Sequence, residues 1–284
     1  MFIQMYEEKY MRFPEGRTKA VTFSYDDGVK ADKKLIEIFD QYGLKGTFNL
    51  NSELFGKEYE SWHGRMGEEE TYKTFANCGH EIALHGARHI FMDKVPLPEA
   101  ISELVRNRGF LEKKFSRIIR GMAYAYNSYN DGIVNVLSSL GINYARTTQA
   151  SHGFEIPRDW LRLKPTCHHG DERLKELTHK FLQAQPEAER KMREPLLFFV
   201  WGHSFEFDEN DNWHIIKELA EKISGRKEIW YATNGEIYDY VKAYNGLIFS
   251  MDGERAFNPS HMPVWLEIRS KVYKIESGQE VAFN

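Results

Sequence analysis

A short β-prone run closed by polar residues, then a helical stripe that stops at glycine, recurs along most of this chain, and that alternation constrains its fold more than any other feature. Ala20 to Ser24 is followed by a turn signal at Asp27-Gly28. Lys33 to Tyr42 then places Leu35, Ile36, Ile38 and Phe39 on one helical face and ends at Gly43. Strands are expected at Gly46–Leu50, Glu81–Leu84, Ile118–Met122, Asn143–Thr147, Leu161–Lys164, Leu196–Trp201 and Glu228–Ala232. Helices are expected at Thr71–Asn77, Pro98–Phe115, Ile133–Leu140, Asp171–Gln183, Trp213–Ile223 and Glu236–Tyr244. Leu196 to Trp201 is uninterruptedly apolar, as in a strand buried on both faces of a parallel sheet. Strands that are each trailed by a helix predict one parallel α/β barrel or doubly wound sheet, with the barrel preferred. From Leu247 the helices cease. Leu247–Met251, Val264–Ile268 and Val272–Ile275 read as strands separated by turns, which divides the chain into residues 1–246 and a small β appendage, 247–284.

Composition excludes several classes. With 38 basic against 42 acidic residues the net charge is −4, so no basic excess is present to neutralise nucleic-acid phosphates. No apolar stretch approaches the roughly 18 to 20 residues of a membrane span; Pro195 to Trp201 is far too short. The opening residues carry Glu7 and Glu8 and no apolar h-region, and Cys78 and Cys167 are too few and too far apart for a disulfide framework. The expectation is a soluble, cytoplasmic protein with reduced thiols.

Active sites of parallel α/β folds gather where strands end, so the polar residues there are the candidates. Asp26-Asp27 closes the first strand. Adjacent side chains on extended backbone diverge, so one carboxylate can hold a cation while the other contacts its water, although Asp-Gly is equally a solvated turn. His85 and His89, four apart, can present two imidazoles to one ion from a helical turn. His80-Glu81 with His85 is one residue too long for a zincin HExxH and lies on a strand; His80 reads as structural. Arg120 to Asn127 supplies an Arg able to keep a carboxylate ionised, with backbone N–H groups around Tyr124 and Tyr126 for a developing oxyanion. His203, after Gly202 at the end of the most apolar strand, is a candidate general acid.

The order Thr22-Phe23-x-x-Asp26-Asp27-Gly28, then Gly79-His80-Glu81-Ile82-x-x-His85 with His89, then an Arg/Tyr-rich strand end, then His203, resembles the polysaccharide deacetylases of the NodB-homology fold, carbohydrate esterase family four. The resemblance runs from about Lys19 to Tyr244. It implies a distorted, incomplete (β/α) barrel around one divalent metal, zinc first, with cobalt, nickel or manganese as alternatives. It assigns Asp27, His85 and His89 as ligands, Asp26 as the base that activates water, His203 as the acid that protonates the leaving group, and Arg120 as the partner of Asp26. Ala125 and Asn127 stand where the family has Pro and Gly around its Tyr. The family's Asp–Trp support for the general acid is either Asp159-Trp160 or lies near Thr166 to His169. Tyr124, Tyr126, Trp160 and Trp201 are the aromatic candidates for stacking on a sugar.

What the resemblance implies is removal of acetyl groups from an N- or O-acetylated sugar or oligosaccharide. Two alternatives stand on the same scaffold, a cyclic amidohydrolase and a catalytically silent carbohydrate binder. The β appendage is a place for homo-oligomer contacts or for shaping the cleft.

Overall fold

The computed structural model describes residues 8–57, 64–186 and 193–283. In chain order the principal elements are β1 (Lys9–Arg12), β2 (Lys19–Asp26), α1 (Asp32–Gln41), β3 (Gly46–Leu50), α2 (Glu68–Phe75), β4 (Glu81–Leu84), α3 (Leu97–Phe115), β5 (Gly121–Ala123), α4 (Asp131–Ser139), β6 (Tyr144–Arg146), β7 (Cys167–His168), α5 (Leu174–Gln183), β8 (Leu196–Gly202), α6 (Phe205–Glu209), α7 (His214–Ile223), β9 (Ile229–Tyr231) and α8 (Asn234–Asn245).

A parallel sheet in the order β6-β5-β4-β3-β2-β8-β7 curls into a half-barrel with helices outside it. Strand β9 joins β2 at Lys19–Val21, the part of β2 that lies before its pairing with β3 at Phe23–Asp26. The expected barrel is therefore incomplete. Between β6 and β7 a single bridge, Arg146 to Leu163, begins a segment that reaches β8 only at Cys167. The short strand expected at Leu161–Lys164 is instead a 3₁₀ turn, Trp160–Arg162, because the Asp159 side chain accepts the Arg162 N–H and tightens the chain there.

All eight residues of β2 are buried, and their alternation explains the site. Val21, Phe23 and Tyr25 pack with Leu35 and Phe39 of α1 in the main core. Thr22, Ser24 and Asp26 face the barrel interior, which is polar. Thr22 bonds Asn234 at 2.9 Å, Ser24 accepts from Asn49 at 2.9 Å and from Arg146 at 3.1 Å, and Asp26 accepts from Asn49 at 2.8 Å. The inward face of the sheet is thus a hydrogen-bonded column with a carboxylate at its open end.

The C-terminal residues form β10 (Ile248–Phe249), β11 (Arg255–Phe257), β12 (Val264–Ile268), β13 (Lys271–Ile275) and β14 (Glu280–Ala282), in two antiparallel three-stranded sheets. One sheet includes β1, which pairs with β12 from Lys9–Ile268 to Arg12–Trp265; buried Arg12 also binds Glu267 at 2.9 Å. The N-terminal strand, which the sequence pattern does not reveal, therefore ties the β appendage to the start of β2. Among the described residues no helix is long and apolar enough to cross a membrane.

Candidate active site and metal centre

Three strand ends converge on one point. At the end of β2, Asp26 remains on the inward face, while Asp27 and Gly28 turn away with φ of +86° and +69°. Only glycine adopts such a value without strain, so Asp27 must be held: its N–H donates to the Asn49 carbonyl at 2.9 Å, and its Oδ1 accepts from Arg65 at 2.8 Å. After β4, His85 is buried, with its N–H donating to the Leu50 carbonyl at 3.2 Å and to Asn107 Oδ1 at 3.1 Å. Its Nδ1 lies 2.9 Å from the Ala123 carbonyl, which can only accept; Nδ1 therefore carries the proton and Nε2 presents a lone pair. His89 reaches the same point, but not from the helical turn inferred from the spacing: residues 85–89 form a loop in which Gly86 (φ +78°) and His89 (φ +56°) are left-handed.

Nε2 of His85 is 3.1 Å from Nε2 of His89, and these nitrogens lie 3.8 and 3.7 Å from Asp27 Oδ1. Two imidazole nitrogens and one carboxylate oxygen, mutually within 4.8 Å, make a donor set that could hold a divalent cation and would leave coordination positions for water. The electrostatics agree. Burial would raise the Asp27 pKa, but Arg65 and the two histidines hold it far below the carboxylate range. Burial and the neighbouring His85 lower His89 to about 3, so it is neutral at pH 7, as a ligand must be.

Asp26 Oδ2 lies 3.7 Å from His85 Nε2 and 3.9 Å from His203 Nε2. Burial opposes its ionisation, but Arg146 and the histidines more than offset this and keep the carboxylate charged. The cation expected beside it, Arg120, is elsewhere. Arg120 precedes β5, at the opposite end of that strand from Ala123, and makes a fork with Asp239 of α8 at 2.8 and 2.7 Å. Arg146, the last residue of β6, takes the position: it donates to Asp26 Oδ2 and stacks its guanidinium 4.4 Å from the Trp201 ring. Arg120→Ala is expected to leave hydrolysis within about threefold of wild type, because an exposed pair contributes only about 0–1 kcal/mol. Arg146→Met is expected to cost about 3–5 kcal/mol of stability by leaving Asp26 buried and unpaired, with loss of activity; urea unfolding and steady-state rates check both.

At the end of β8, His203 Nδ1 is 3.2 Å from Glu206 Oε1. Burial would lower the His203 pKa, but Glu206 and the Asp26–Asp27 pair raise it to about 9. Glu206 is the acidic support of His203; Asp159 caps the 3₁₀ turn and pairs with Arg162 at 2.9 Å. The region 166–169 does contribute, since His168 and His169 each place Nε2 3.0 Å from Glu206 Oε2. His168 Nδ1 accepts the Gly170 N–H at 3.0 Å, so its Nε2 is a donor, and this second histidine–glutamate group is internally hydrogen-bonded rather than a lone-pair cluster for a cation. Gly202 is required: a Cβ there would stand 2.1 Å from His169 Nδ1.

The loop after β8 is tied to α1 by the 2.6 Å bond between Ser204 and buried Asp32. Burial lifts the Asp32 pKa to about 8, against bonds from Ser204 and Val29 that favour the charge. Between about pH 4 and 8 the unfolded chain has lost a proton that the folded chain keeps, so stability falls as pH rises through this window. Asp32→Asn, which can still accept from Val29 and donate to Ser204, is expected to flatten that decline and to raise the melting temperature at pH 8, measured by thermal melts from pH 5 to 8.

The aromatic candidates divide. Trp201 forms a wall of the site, its ring centre 5.6 Å from that of His203. Tyr126, 52% exposed, sets its ring 4.4 Å from that of His89 and stacks at 4.0 Å on Phe91, which is 48% exposed and has no counterpart among the sequence candidates. Tyr124 is buried, with its hydroxyl donating to the Leu161 carbonyl at 2.9 Å. Trp160 packs edge-on against Tyr238 of α8 in a groove with Asn143, before β6, away from the strand ends. His80, read as structural, accepts the Gly46 N–H at 3.2 Å beneath α1.

Residues 13–145 match the family model described as polysaccharide deacetylase. No curated protein sequence matches the chain. Among solved structures, a putative polysaccharide deacetylase from Mycobacterium smegmatis is 17% identical, covering 84% of this chain and 95% of that one with a TM-score of 0.57. The Xyl-CE4 domain of a multidomain xylanase from the hindgut metagenome of Trinervitermes trinervoides is 12% identical, with 80% and 92% covered and a TM-score of 0.53. Puue allantoinase is 10% identical, with 80% and 91% covered and a TM-score of 0.58. At these identities the structural likenesses establish a shared fold. The chain thus matches the polysaccharide deacetylase family model over residues 13–145 and shares its half-barrel fold with these structures over most of its length.

Proposed function

We propose that this protein is a metal-dependent hydrolase that removes acetyl groups from an acetylated carbohydrate. The observation that supports it most is geometric: Asp26 and His203, 3.9 Å apart, with neighbours that favour the carboxylate in one and the imidazolium in the other, stand beside the two nitrogens and one oxygen of His85, His89 and Asp27. Two titratable groups driven to opposite protonation states at one point are a base and an acid ready for use at neutral pH.

Asp27, His85 and His89 would hold one divalent cation, zinc being the ion that suits this donor set best. Bound there, such an ion lowers the pKa of a water and polarises an acyl carbonyl. Asp26 takes the proton of the attacking water. Arg146 keeps Asp26 charged beforehand and steadies it while it titrates. His203 gives its Nε2 proton to the departing amine or alcohol, and Glu206, accepting from Nδ1, holds the ring with Nε2 directed inward. Tyr124 spends its N–H on the Arg146 carbonyl at 3.0 Å, so the main-chain N–H of Tyr126, on the left-handed turn beside His89, is the donor assigned to the developing oxyanion. The Phe91–Tyr126 pair and Trp201 flank this point and suit the apolar face of a sugar ring.

Acetate release from mono-, oligo- and polymeric N- and O-acetylated sugars tests the reading. Chelator-sensitive acetate production is expected. Ring opening of a cyclic ureide with no acetate from any sugar would replace it with the cyclic amidohydrolase, and sugar binding without either reaction with the silent relative.

A further inference from the structure

Arg65 lies outside every motif considered above and touches the metal-site carboxylate directly. Its Nη2 donates to Asp27 Oδ1 at 2.8 Å, and its Nη1 donates both to the Asp27 main-chain carbonyl and, at 2.9 Å, to Asn51 Oδ1. Asn51, fully buried, spends its amide on the carbonyls of His85 at 2.6 Å and Gly86 at 2.9 Å. One guanidinium and one amide thus connect the loops that follow β2, β3 and β4. They grip the two segments that carry Asp27 and His85 where the backbone is left-handed, at Asp27 (φ +86°) and Gly86 (φ +78°).

We propose that Arg65, acting through Asp27 and Asn51, is the positioning residue that sets the geometry and affinity of the Asp27–His85–His89 centre for a divalent cation. The inference rests on the reading of that centre as a metal site. Hydrogen bonds behind metal ligands orient them, and losing one typically weakens binding about 10–100-fold. Lysine is no substitute: it carries one ammonium, whereas Arg65 engages the carboxylate, the carbonyl and the amide of Asn51 through two nitrogens at fixed spacing.

A second physical account predicts the opposite sign. Arg65 shares Asp27 Oδ1 with the cation position, so a guanidinium that served only as counter-ion to a buried carboxylate would compete with the metal, and its removal would tighten binding.

The experiment is chelator competition with Zn²⁺ and Co²⁺ on the metal-stripped full chain, comparing wild type with Arg65→Met and Arg65→Lys. The Co²⁺ absorption spectrum serves as readout of coordination and circular dichroism as the check on folding. The expected result is a dissociation constant raised about 10–100-fold in Arg65→Met and raised also in Arg65→Lys, with an altered Co²⁺ spectrum in both. An affinity within twofold of wild type and an unchanged spectrum, or tighter binding, would overturn the proposal. Should Arg65→Met not fold, Arg65→Lys alone decides in the same terms. A wild-type chain that takes up neither ion would overturn the metal-site reading itself, and this inference with it.

Discussion

Asp26→Asn is expected to lower kcat by about a thousandfold while leaving the metal in place, since a positioned general base contributes about 10²–10⁴ to a rate. The substitution keeps the shape of the side chain and its capacity to accept from Asn49, 2.8 Å away, and removes the negative charge that faces His203 and Arg146. It does not touch Asp27, His85 or His89. Metal content should therefore match wild type, and KM should change far less than kcat, the pattern of an interaction made in the transition state. Single-turnover rates on the metal-replete variant measure this. Wild-type turnover in Asp26→Asn would take the base role from this residue.

His85→Ala is expected to abolish both metal and activity. His85 is the most constrained of the three donors: buried, tautomer set by the Ala123 carbonyl at 2.9 Å, backbone held by Leu50 and Asn107. Its loss removes a ligand outright, so affinity should fall by more than the roughly 10–100-fold typical of an outer hydrogen bond. Addition of free imidazole, which can enter the space left by the ring, gives a partial recovery of metal binding as a readout separate from folding. Stoichiometric metal in His85→Ala would remove His85 from the ligand set.

The contrast between these two variants follows from the alternation of β2. Asp26 continues the inward face of the strand with Thr22 and Ser24, and Asp27 leaves it at the first left-handed residue, so neighbours in sequence acquire separate tasks. That much is legible from the residues, because strand alternation is local, although Asp-Gly alone reads equally as a solvated turn. The same holds for His85, His89 and His203, each placed just beyond an apolar run.

What was not legible depends on distance in sequence or on where a strand stops. Arg120 is a candidate because it opens the Arg/Tyr-rich stretch at the end of the expected strand Ile118–Met122. The strand is Gly121–Ala123, and that shift leaves Arg120 at the opposite end, with Asp239. Arg146 sits at the end of a strand the pattern does reveal, yet it meets Asp26, 120 residues away, only because the half-barrel curls β6 toward β2. Glu206, three residues after His203, was within reach: an acid at that spacing behind a strand-end histidine is a usable signal. Trp160, a stacking candidate just ahead of the expected strand Leu161–Lys164, lies on the 3₁₀ turn Trp160–Arg162 and packs on Tyr238 rather than in the site. The loop geometry of His85 to His89 shows that i, i+4 spacing can bring two rings together without a helix, when left-handed residues close the loop. In the appendage, the pairing of β1 with β12 joins residues more than 250 positions apart and has no local signature.

The account stands on one centre in which Asp27, His85 and His89 serve a cation and Asp26 and His203 serve the proton transfers. It is tested most directly by measuring metal stoichiometry and acetate release on the same samples of purified, chelator-stripped and zinc-repleted protein. The account predicts about one ion per chain in the repleted sample, with acetate release lost on stripping and restored in proportion to the ion bound. Full acetate release from protein stripped of metal would contradict it.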